Sequence, residues 1–62
     1  MWVSVYMAQN LENAKAMRNK IENQNIIVML HRLASNDGSS ADCYELLVPQ
    51  AELQDALSII ID

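Results

Sequence analysis

One cysteine, one histidine, one glycine and one proline occur in the 62-residue chain. Each scarcity excludes something. A lone Cys43 forbids an internal disulfide. One histidine and one cysteine cannot build a four-ligand zinc site without carboxylates, so no metal site is expected within the chain. A single glycine, Gly38, leaves no Gly-rich phosphate loop, which argues against a nucleotide cofactor. Cations are few as well: Lys15, Arg18, Lys20 and Arg32, against a net charge of −4. Three of them interleave with Glu12 and Glu22 on one predicted helix, which describes a solvated face and not a phosphate track. Nucleic acid is therefore not an expected partner. The longest apolar run, Ile26 to Leu30, is too short to span a bilayer. The start Met1-Trp2-Val3-Ser4 has no basic, then apolar, leader, and with a lone cysteine this fits the cytoplasm.

What is present is hydrophobic: 52% of the residues. So short a chain makes one domain, residues 1–62, and buries only about 60% of the surface it exposes when unfolded. Small domains add disulfides, metals or partner chains to a thin core. With the first two unavailable, self-association is the expected route, as a homodimer or higher homo-oligomer.

Trp2 to Ala8 is β-branched and aromatic and predicts a strand. Strict alternation places Val3, Val5 and Met7 inward and Trp2, Ser4 and Tyr6 outward. Asn10 is a good N-cap, and Leu11, Ala14, Met17 and Ile21 recur at helical spacing, so a helix is predicted over 11–24. Asn25 stands where a left-handed residue is expected at the helix end. A second strand is predicted from Ile26 to Leu33, with Ile26, Val28 and Leu30 inward and Ile27, Met29 and His31 outward. The segment 34–41 reads as a polar loop, with Asn36-Asp37-Gly38 as its turn signal. In the third strand, Cys43 to Val48, Tyr44, Leu46 and Val48 face in, while Cys43, Glu45 and Leu47 face out. Pro49 ends it and opens a helix. Leu53, Ala56, Leu57 and Ile60 carry that helix to about Ile60, although Ile59-Ile60-Ile61 could also begin a strand.

The order β-α-β-β-α joins two parallel strands through the first helix, and the third strand inserts between them. The predicted fold is α+β, ferredoxin-like: a three-stranded antiparallel sheet of order 1-3-2 with both helices on one face. The outer face then carries Trp2, Tyr6, Ile27, Met29 and Leu47 together with Ser4, His31, Cys43 and Glu45. An apolar face of this kind marks an interface, here Trp2, Tyr6, Ile27, Met29, His31, Glu45 and Leu47. His31 is expected opposite Cys43 or Glu45. A thiolate–imidazole pair or a His–carboxylate metal site are the chemical alternatives. Nothing in the sequence supplies an oxyanion hole or a cleft, so no catalytic residue is assigned.

Val3-Ser4-Val5-Tyr6, the helix with Ala14, Ile26-Ile27-Val28, and Tyr44-Glu45-Leu46-Leu47-Val48-Pro49 followed by Ala56-Leu57 resemble a bacterial family of short signal-transducing proteins of unknown function. The family is similar in fold to the nitrogen-regulatory PII proteins. The resemblance implies a ferredoxin-like regulatory domain. Asn25 stands where such sequences are expected to carry glycine. The loop after the second strand is short and acidic, so PII-type nucleotide binding is not implied. The chain thus reads as a non-catalytic interaction or regulatory module that self-associates through its open sheet face. The alternatives are a metabolite sensor binding at a subunit interface and an enzyme using His31 and Cys43.

Overall fold

The computed structural model describes residues 1–33 and 43–61. The elements are β1 (Trp2–Ala8), α1 (Leu11–Glu22), β2 (Met29–Leu33), β3 (Cys43–Pro49) and, after a 3₁₀ turn at Gln50–Glu52, α2 (Leu53–Ile61). The polar loop expected over 34–41 lies outside the described residues.

Helix α1 begins where its cap dictates. The Asn10 side chain accepts the Asn13 backbone N–H at 2.8 Å, satisfying a donor that the first turn leaves without an intrahelical partner. Glu12 adds a favourable charge in that turn. The helix ends earlier than the spacing predicts, at Glu22. The N–H groups of Gln24 and Asn25 then donate to the Ile21 and Glu22 carbonyls, and Asn25 takes φ 65°. That is the left-handed residue expected there, and it redirects the chain toward β2.

Strand β2 is shorter than the apolar alternation suggests. Its pairing with β3 starts at Met29 opposite Leu47. Beyond that point β3 reaches Pro49, which has no N–H for a ladder, and the chain coils into the 3₁₀ turn. Residues 26–28 lie outside the ladder, although Ile26 and Val28 still turn into the core.

The sheet has order β1-β3-β2, with both pairings antiparallel, as predicted. One local expectation fails. The β1–β3 register runs Val3–Val48, Ser4–Leu47 and then Tyr6–Leu46, with an irregularity between Ser4 and Tyr6. Val5 is an inserted residue, a bulge, and it resets the alternation by one. Tyr6 and Ala8 therefore share the inner side with Leu46 and Tyr44, and Met7 turns outward, 53% exposed. The expected outward Tyr6 and inward Met7 are both corrected.

The inner side carries the core. Ile21, Leu46 and Val48 are the largest fully buried side chains, joined by Ile26, Ala8, Ala14 and Ala56. Ala14 from α1 and Ala56 from α2 lie in one cluster with Leu46 and Val48 of the central strand. Both helices therefore cover the same face, and the small alanines let them sit close to the sheet. Ile59 and Ile60 pack against this cluster from α2, which settles the Ile59–Ile61 segment as helix. The Gln50 N–H donates to the Met1 carbonyl at 2.8 Å, tying the start of β1 to the end of β3.

Candidate functional site

The side of the sheet away from the helices is built in rows. Directly opposed residues in an antiparallel ladder share a face. The register gives one row of Ser4, Leu47 and Met29, a second of Met7, Glu45 and His31, and a third of Cys43 and Leu33. Trp2 extends this face beside Pro49 and is 42% exposed. Met29 is also well exposed, and Ile27, just before β2, more so. Of the residues expected at this site, Met29, His31, Glu45 and Leu47 fall in these rows, and Trp2 lies on the same face beyond them. Ile27 is exposed but outside the ladder. Tyr6 is removed by the bulge, and Met7 takes its place.

The chemical groups meet at the second row. His31 is the middle residue of β2 and lies opposite Glu45 of the central strand. Its Nδ1 is 3.7 Å from Glu45 Oε1. The imidazole side chain is 60% exposed, while the carboxylate is 21% exposed. The difference follows from position: Glu45 has Met7 on one side and His31 on the other, whereas β2 is an edge. This contact is an ion pair only when the imidazole is protonated. Cys43 is half-buried and faces Leu33, not His31, so the ladder does not set the thiol opposite the imidazole. Among the described residues, no three His, Cys, Asp or Glu side chains cluster as a metal site within one chain.

A second feature could not be read from the sequence. An open groove of about 310 Å³ lies between the end of α1 and α2, lined by Gln24, Ile26, Glu52, Asp55, Ser58 and Ile59. These residues come from segments far apart in the chain, and no motif links them. The Ser58 hydroxyl is engaged within its own helix, donating to the Gln54 carbonyl at 3.1 Å. Among the described residues, no helix is long and apolar enough to cross a membrane.

Set against protein-family models, curated proteins and solved structures, the chain matches none of them.

Proposed function

We propose that this domain is a non-catalytic interaction or regulatory module that pairs with a second copy of itself through the open sheet face. The observation that carries this is the exposed set Trp2, Met7 and Met29 around Leu47, on a side that neither helix covers. Two further features support it. The core is thin, with Ile21, Leu46 and Val48 as its only large side chains of full burial among the described residues. The face also carries a complementary pair of its own, His31 and Glu45. A two-fold axis through it brings each imidazole toward the other copy's carboxylate, so the face suits itself better than an arbitrary partner.

The lone cysteine agrees with work in the cytoplasm. A regulatory role agrees with the resemblance to small bacterial signal-transducing domains.

Strand spacing near 4.8 Å and a rise near 3.3 Å per residue give a three-stranded face of on the order of 300–350 Å² in projection. Side chains enlarge it, yet the contact belongs to the small, reversible class. Light scattering over a concentration series tests the reading. Wild type should form a dimer that a Trp2→Ala, Leu47→Ser double variant loses. A wild type that stays monomeric when concentrated overturns self-association. A dimer indifferent to the double variant moves the contact to the strand edges, which also have backbone groups to offer.

A further inference from the structure

The geometry points to a divalent metal site completed by two copies of the chain, with His31 and Glu45 of each as its four ligands. This inference rests on the sheet-face pairing proposed above. One chain supplies two donors of the right kind. Imidazole nitrogen and carboxylate oxygen bind zinc at about 2.0–2.2 Å, so two such ligands on a tetrahedral ion stand about 3.3–3.4 Å apart. Nδ1 of His31 and Oε1 of Glu45 are already 3.7 Å apart, on adjacent strands in direct register. A small side-chain rotation closes the difference.

Two ligands hold an ion weakly, and no third His, Cys, Asp or Glu joins them within the chain among the described residues. A second copy supplies the missing half. The pair is placed for this: it sits on the central strand and the midpoint of β2, on the uncovered face, where a two-fold axis can pass. Two imidazoles and two carboxylates around one ion make a closed tetrahedral site, which favours zinc among the common divalent ions.

The same site resolves an electrostatic problem of the proposed contact. Burying a carboxylate in an apolar interface is costly unless it is paired or bound to a metal. Glu45 lies in the row between Met7 and His31, with Leu47 next to it on its own face of β3. An ion shared by two copies satisfies both carboxylates at once and ties together a face too small to associate strongly by apolar contact alone. Cys43 stays outside the ligand set, since the register sets it opposite Leu33 and no third His, Cys, Asp or Glu joins the pair within the chain among the described residues.

The test is sedimentation of the full chain with a chelator and with half an equivalent of Zn²⁺, followed by Co²⁺ titration. Zinc should tighten the dimer by at least about tenfold, because an ion that binds only the dimer stabilises it by mass action. Co²⁺ should give the intense visible bands of a tetrahedral ion and saturate at one ion per two chains. His31→Asn and Glu45→Gln should each abolish the metal effect, read for each variant as the ratio of its association with zinc to its own association with chelator, since both residues also belong to the pairing face. Cys43→Ser should keep it. A dimer equally strong with and without zinc overturns the metal site and leaves the pairing intact. Monomer under both conditions overturns the pairing as well. Saturation at one Co²⁺ per chain, or unchanged Co²⁺ binding by His31→Asn, places the ion elsewhere and also refutes the site.

Discussion

Tyr6 and Leu46 lie directly opposite each other on the helix-covered side of the sheet, one residue beyond the bulge at Val5. Leu46 is fully buried there, and Tyr6 packs against the same cluster. Leu46→Ala leaves a cavity under both helices and should cost about 2–5 kcal/mol. That equals the whole net stability of roughly 3–5 kcal/mol that a core of this size supplies. The variant should therefore be largely unfolded by circular dichroism at room temperature. Tyr6→Ala should also destabilise clearly in urea. Met7→Ala, on the open face, should change monomer stability by no more than about 0.5 kcal/mol. Equal damage from Tyr6→Ala and Met7→Ala would contradict the bulge.

The Asn10 cap gives a second, independent number. Its side chain accepts the Asn13 N–H at 2.8 Å at an exposed site, so little packing is lost with it. Asn10→Ala should cost about 1 kcal/mol, and Asn10→Ser or Asn10→Asp should cost much less. Urea unfolding of the three variants measures this. An alanine variant as stable as wild type would mean that the cap contributes nothing.

Asn25 separates backbone from side-chain effects. At φ 65° a residue with a Cβ is strained, asparagine least among the non-glycine residues. Asn25→Gly should be close to neutral or slightly stabilising, while Asn25→Val should lose about 1–2 kcal/mol. Thermal melts of both variants decide it. A valine variant that melts with wild type would rule out a left-handed residue at this turn.

These positions also show how far the sequence was legible. Asn10, Asn25 and the sets Ile26, Val28, Leu30 and Tyr44, Leu46, Val48 are local signals, and local chemistry alone determines them. The 1-3-2 order followed because a crossover helix leaves a hairpin strand one simple place to insert. The bulge had no such signal. Ser4-Val5-Tyr6-Met7 contains no glycine, and Tyr6 and Met7 suit either side of a sheet, so strict alternation read smoothly through it. The true start of β2 was equally hidden. Ile26–Val28 alternates whether or not it is paired, and where the ladder begins, at Met29 opposite Leu47, is decided by a partner strand far along the chain. His31 and Glu45 were legible as neighbours on one face. Their direct opposition depends on register, which the two-residue period alone leaves open. The groove at Gln24 and Glu52 is purely tertiary.

Cys43 offers a reporter of the sheet-face contact that does not depend on hydrodynamics. It shares the open face with Glu45 and Leu47, at alternate positions of β3, and it is half-buried in the single chain. A neutral alkylating reagent can reach a half-buried thiol on an uncovered face. Once a second copy lies over that face, the reagent must wait for the pair to separate. The alkylation rate of wild type should therefore fall as protein concentration rises, in proportion to the monomer fraction. Leu47→Ser lies one alternate position from Glu45 and two from Cys43, and it weakens the contact without touching the thiol. Its alkylation rate should stay at the dilute value throughout. Pairing through the strand edges leaves the face open, and then wild type should react at one rate across the whole range in which light scattering reports a dimer. That single outcome would remove both the face-to-face pairing and the shared metal site, since the site has no second half unless the two open faces meet.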